Sequence, residues 1–151
     1  MARKERKEKF FFKAEEEKQI IQAIRDAEDK TSGEIRVHVE PKCKDDSFKR
    51  ALDVFADLEM HKTKQHNGVL FYLAYDSHKF SIVADEGINK VVPEHFWEDI
   101  KDMMEEKFKN GDFLSGLTQG IALAGEQLKQ FFPSQGGGDK NELTDEISEG
   151  E

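Results

Sequence analysis

The chain has 151 residues, of which 36% are charged and 36% hydrophobic, and it carries a formal charge of −9. That length holds one domain around a single core. The excess of acid over base speaks against nucleic acid as a partner and favours cations. One cysteine, Cys43, excludes an internal disulfide and a cysteine-built zinc site.

Basic residues concentrate in segment 1–13, where Arg3, Lys4, Arg6, Lys7, Lys9 and Lys13 are interrupted by Glu5 and Glu8. The interruption marks a solvated lead-in to the first helix rather than a basic patch. The phenylalanines at 10, 11 and 12 are too short a run for a signal-peptide core or a membrane span. With no targeting segment visible, the expectation is a cytoplasmic protein with no membrane span.

A helix is predicted over residues 14–30, with Ile20, Ile24 and Ala27 at helical spacing and Glu15, Glu16 and Glu17 at its dipole-favoured start. Thr31, Ser32 and Gly33 break it. Residues 34–40 alternate, with Ile35, Val37 and Val39 on one face and Glu34, Arg36, His38 and Glu40 on the other. That pattern predicts a strand with one buried face, nearer a sheet edge. Pro41 ends it, and Asp45 or Asp46 caps a second helix reaching residue 62, with Phe48, Leu52, Phe55 and Leu58 as its buried stripe.

Residues 69–74 are apolar or aromatic without interruption between Gly68 and Asp76, which predicts a strand buried on both faces. Residues 80–84 return as a hairpin. A strand, a crossover helix and a second strand make 34–40 and 69–74 parallel, with 80–84 antiparallel to the latter. Pro93 opens a third helix carrying Phe96, Ile100, Met103 and Phe108 inward. Asp112 caps a fourth, with Phe113, Leu117, Ile121, Ala124 and Leu128 inside and Gly116 and Gly120 allowing close approach to a neighbour. The result is an α/β domain over 14–133, with a small mixed sheet, a hairpin and roughly four helices. From residue 134 to 151 a glycine linker and an acidic segment predict a flexible tail, with Leu143 and Ile147 as weak docking candidates.

These directions place the starts of the two parallel strands and the end of the hairpin on one rim. Thr31, Ser32, Gly33 and Glu34 gather there with His66, Asn67 and Gly68, and with Asp85, Glu86 and Gly87. Carboxylates, an amide oxygen and backbone carbonyls held by glycine turns suit Ca²⁺ or Mg²⁺. The expected ligands are Asp85, Glu34, Asn67 and Glu86, with Gly33, Gly68 and Gly87 at the turns. The opposite rim, with Asp45, Asp46 and Asp76, is a rival carboxylate group.

Four blocks resemble the TPM domain family: Thr31 to Val37, His66 to Leu70, Ala84 to Ile88, and Phe108 to Phe113 with Gly116 and Leu117. The resemblance covers about residues 14–133. It implies a three-layer α/β/α sandwich of Rossmann-like shape, divalent-cation binding as in some members, and the acid phosphatase activity claimed for plant members. It places Gly33, Glu34, Asn67, Gly68, Asp85 and Gly87 on family motif positions. Many relatives carry a basic–acidic pair before the Asn-Gly, where this chain has Gln65 and His66.

Familiar phosphatase machinery is absent from the sequence. Cys43 is followed at the required spacing by Lys49 rather than arginine, and there is no phosphate-binding glycine loop or zinc-protease helix motif. His38, His61, His66 and His95 read as structural, His66 drawing notice beside Asn67. Hydrolysis would therefore rest on a metal held by Asp85, Glu86 or Glu34, and no catalytic residue is assigned. Three readings follow: a monomeric cation-binding regulatory module, a metal-dependent phosphomonoesterase on the same rim, or an interaction domain whose acidic surface meets a basic protein.

Overall fold

The computed structural model describes residues 11–134 and 146–150. Its elements, in chain order, are α1 (Ala14–Glu28), β1 (Glu34–Glu40), α2 (Ser47–Asp57), a 3₁₀ turn (Met60–Lys62), β2 (Gly68–Ala74), β3 (Lys79–Ala84), α3 (Glu86–Asn89), α4 (Glu98–Lys109), α5 (Phe113–Leu128) and β4 (Ser148–Glu149). They form a four-stranded mixed sheet in the order β3-β2-β1-β4. β1 is parallel to β2, and β3 is antiparallel to β2.

Helices cover both faces, so the molecule is an α/β/α sandwich. On one face Ile35, Val37, Val39, Val69, Phe71 and Leu73 meet Ile20 and Ile24 of α1, Ile100 and Met104 of α4, and Leu117 and Ile121 of α5. On the other, Leu70, Tyr72, Ala74 and Val83 meet Ala51, Val54 and Phe55 of α2, together with Met60. β2 is buried along its whole length, as an uninterrupted apolar run requires. Gly116 and Gly120 lie against side chains of α4: a Cβ at Gly116 would stand 2.3 Å from the Phe108 ring, and one at Gly120 would stand 2.5 Å from Met104 Sδ.

The structure differs from the sequence pattern in several places, each with a local cause. The second helix stops at Asp57, because Glu59 takes a left-handed backbone (φ 58°) and the chain tightens into the 3₁₀ turn. Phe48 and Leu52 are 47% and 44% exposed rather than buried. The rotation of α2 is set by polar contacts: Ser47 Oγ lies 2.8 Å from Ser81 Oγ on β3, and Arg50 reaches Glu40 on β1. That turns Ala51 and Val54 onto the sheet and leaves Phe48 and Leu52 on the outer flank. Helix α4 begins at Glu98, five residues after Pro93, and buries Met104 in place of Met103.

Two differences concern β1. It lies between β2 and β4 and is buried on both faces, including Glu34, His38 and Glu40. The covering strand comes from the segment expected to be a free acidic tail. Ser148 and Glu149 pair in parallel with His38 and Val39, and Ile147 is buried in the core. Leu143 lies outside the described residues, as does most of the basic segment 1–13.

Candidate functional site

The predicted rim forms. Glu34 is in register with Gly68, and Asp85 N–H donates to Gly68 O at 2.9 Å, so the three strands bring Glu34, Gly68 and Asp85 into one row. Asn67 joins the row through its carbonyl, which accepts from Glu34 N–H at 3.2 Å. Below it, Ser32 Oγ accepts from Asn67 Nδ2 at 3.3 Å and from Gln65 Nε2 at 3.4 Å. Asn67 is itself 2% exposed, and its backbone N–H donates to Thr63 Oγ1 at 3.2 Å.

Glycine is required at one of these turns. Gly87 N–H donates to His66 O at 2.9 Å, and a Cβ there would stand 2.2 Å from Gln65 O and 2.5 Å from His66 O. No side chain fits, so Gly87 keeps two carbonyl oxygens packed against the start of α3.

Asp85 is the distinctive group. Its Oδ1 accepts from Glu86 N–H at 2.8 Å and caps α3. Its Oδ2 is buried and accepts no hydrogen bond among the described residues, and the imidazole of His66 stands beside it with Nδ1 at 3.7 Å. A buried carboxylate oxygen that accepts no hydrogen bond is costly. Glu34 is buried in the same row. Glu86 is exposed on the first turn of α3 and does not join them. The described residues hold no cluster of three or more His, Cys, Asp or Glu side chains fit for a metal.

The rival rim is differently occupied. Asp46 caps α2 by accepting from Phe48 N–H at 2.8 Å. Lys79 Nζ donates to Cys43 O at 3.1 Å and to Asp45 O at 2.8 Å, so a lysine already sits on the backbone oxygens a cation would use.

The sequence pattern missed a polar network on β1. Glu40 accepts from Arg50 Nε and Arg50 Nη2, both at 2.8 Å, and from Tyr72 Oη. His38 Nε2 lies 2.9 Å from Glu40 Oε1, and His38 Nδ1 lies 2.8 Å from Ser148 Oγ. Burial by itself would raise the Glu40 pKa, but hydrogen bonds from Arg50, Tyr72 and His38 outweigh it and hold the carboxyl down at about 2. Burial lowers the His38 pKa despite its bond to Glu40. Burial, then the bond to Glu40, raises that of Tyr72. A neutral His38 therefore donates from Nε2 to Glu40 and accepts at Nδ1 from Ser148. The available signal was Tyr72: a hydroxyl inside a strand buried on both faces needs a partner, and the adjacent strand carries His38 and Glu40 in alternation.

A mixed sheet between two helix layers, with glycine turns gathering acidic and amide groups where its parallel strands begin, defines a small α/β domain. The chain belongs to the TPM domain family, which matches residues 7–127. Among solved structures it is similar to the BA42 protein of the psychrophilic bacterium Bizionia argentinensis, determined by NMR. The two are 48% identical, the match covers 93% of this chain and 97% of that one, and the TM-score is 0.88. Among curated proteins none matches the chain. No helix among the described residues is long and apolar enough to cross a membrane.

Proposed function

We propose that this TPM domain is a divalent-cation-binding module whose cation sits at the rim formed by Asp85, Glu34 and Asn67. The observation that carries the reading is Asp85 Oδ2, buried and accepting no hydrogen bond among the described residues, with His66 Nδ1 beside it at 3.7 Å. The donor set is oxygen: one or two carboxylates, an amide and backbone carbonyls. Such a set suits Mg²⁺ or Ca²⁺ that keeps part of its water shell, and it does not suit Zn²⁺. Glu86 is exposed and reaches such an ion only through solvent. Holding the rim's acidic groups together is the chemistry the ion supplies, which makes binding and regulation the primary role.

Phosphomonoester hydrolysis is the second reading, favoured by one contact. His66 is half exposed beside Asp85, its Nδ1 3.7 Å from Oδ2, and can hold or release a proton at the rim. Ca²⁺ or Mg²⁺ titration followed by amide NMR tests both. Shifts are expected at 31–34, 66–68 and 85–87, and they should vanish in Asp85→Asn. Phosphate-ester hydrolysis that survives Asp85→Asn removes the second reading. Unchanged spectra at millimolar metal remove the first.

A further inference from the structure

We propose that the cavity at the far end of the sheet is a binding site for a small aromatic carboxylate. The cavity measures about 570 Å³ and opens where β2 gives way to β3, against the end of α4 and the start of α5. A volume of that order holds a ligand of drug size. It lies beside the carboxyl end of β2, the side on which open α/β sheets take their ligands. Glu34, Gly68 and Asp85 lie at the other end of the same strands, so this site does not depend on the cation reading.

The floor is apolar and largely aromatic. Leu73 and Phe108 are buried, and Phe80 and Phe113 are half-buried beside them. The Phe108 ring meets Phe80 edge to face at 5.0 Å and lies tilted against Phe113 at 5.4 Å. It packs on Gly116, where a Cβ would stand 2.3 Å from the ring. The three rings therefore present both faces and edges, the surfaces that a further aromatic ring stacks on or abuts. A flexible aliphatic chain of the same area would lose more rotamer freedom on entering.

The mouth supplies the charge. Lys79 Nζ donates to Cys43 O at 3.1 Å and to Asp45 O at 2.8 Å. Both acceptors are neutral carbonyls, so the ammonium keeps its charge and a third donor. Lys109 is exposed and makes no side-chain hydrogen bond or ion pair among the described residues, although Glu105 stands one turn earlier on the same helix. His78 and Glu105 complete the opening. Two lysines against one glutamate match a monoanion, in a chain whose formal charge is −9.

The test is titration of the full-length chain with 2-naphthoate, without added metal, followed by amide NMR. Shifts are expected at 78–80, 105–109 and 113, with none at 31–34 or 85–87. 2-Naphthamide, which keeps the rings and loses the charge, should bind roughly 10-fold more weakly, as the loss of a charge-assisted hydrogen bond implies. Lys109→Gln should weaken naphthoate by a similar factor and leave naphthamide unchanged. Lys109 is exposed, so this variant should keep the wild-type melt. Equal binding of naphthoate and naphthamide overturns the proposal, as do unchanged spectra at millimolar naphthoate or tighter binding of decanoate than of naphthoate. Phe11 meets the Phe113 ring at 5.2 Å, at the edge of the cavity. Naphthoate binding that appears only when residues 2–9 are deleted would mean that the chain's own N-terminal segment fills the site, and also overturns the proposal.

Discussion

The two ends of the parallel strand pair gather acidic groups, Glu40 buried and Asp85 partly exposed, and treat them in opposite ways. At the far end Glu40 accepts from Arg50, Tyr72 and His38, so its oxygens are satisfied inside the protein. At the near end, across the row that begins at Glu34, Asp85 keeps one buried oxygen without a donor among the described residues. A charge bonded by its own chain holds structure together. A carboxylate oxygen that accepts no hydrogen bond is open to a further donor or ion. The far end therefore stabilises the fold and grips the C-terminal segment, and the near end is where the proposed cation would sit.

The harshest test removes what both ends share. Leu70 lies on β2 between them and is fully buried. Leu70→Asp places a carboxylate in the helix-covered face with no partner, a cost of several kcal/mol that is on the order of the whole stability of a small domain. Circular dichroism should show no cooperative melt. A soluble variant with a normal melting transition would mean that β2 does not organise the sheet.

Glu40→Ala comes next. It strands Tyr72 Oη and His38 Nε2 in the interior and leaves Arg50 unpaired, which should cost about 3–5 kcal/mol in urea unfolding. A loss below about 1 kcal/mol, the range of a surface pair, would put the far end on the same footing as an exposed salt bridge.

Acid unfolding sharpens the same comparison without mutation. Glu40 falls from 4.5 to about 2 on folding, which corresponds to about 3 kcal/mol. Because the folded carboxyl is the stronger acid, this contribution is present above pH 4.5 and disappears as pH falls from there toward 2. His38 is lowered from 6.5, so the unfolded chain takes up its proton first and stability declines as pH falls below 6.5. The two losses have the same sign and begin at different pH. Glu40→Gln should keep the decline that starts near 6.5 at His38 and lose the one that starts near 4.5 at Glu40. Retention of the lower window in Glu40→Gln would assign it to another carboxylate.

The near end was legible in the sequence because it depends on strand direction and turn chemistry, both local. The apolar run of β2, the alternation of β1 and the glycine turns determine which termini share a rim. Glu34, Asn67 and Asp85 duly fall in one row, while Glu86 is carried outward by the first turn of α3. The far end was illegible because it depends on contacts distant in the chain. His38 and Glu40 alternate with valines as on any half-buried strand. Only Tyr72 and Arg50, with Ser148 more than a hundred residues away, turn that polar face into an interior. Phe48 and Leu52 show the same limit: helical spacing gives a stripe, but Arg50 and Ser47 decide which way it points.

The smallest expected effect is also the most discriminating. Asp85→Asn keeps the oxygen that accepts from Glu86 N–H, so the cap on α3 survives. It removes the charge whose second oxygen has no donor among the described residues. Without metal, the variant should match wild type within about 1 kcal/mol or be slightly more stable, because a buried carboxylate whose second oxygen accepts no hydrogen bond has been neutralised. With millimolar Ca²⁺ or Mg²⁺, wild type should melt at a higher temperature and Asp85→Asn should not respond, since a ligand that binds only the folded state stabilises it in proportion to occupancy. Paired thermal melts with and without metal decide the matter. If the variant loses several kcal/mol in the absence of metal, Asp85 Oδ2 is held by the fold as firmly as Glu40 is. The contrast between the two ends of the strand pair, and the cation site inferred from it, then fails.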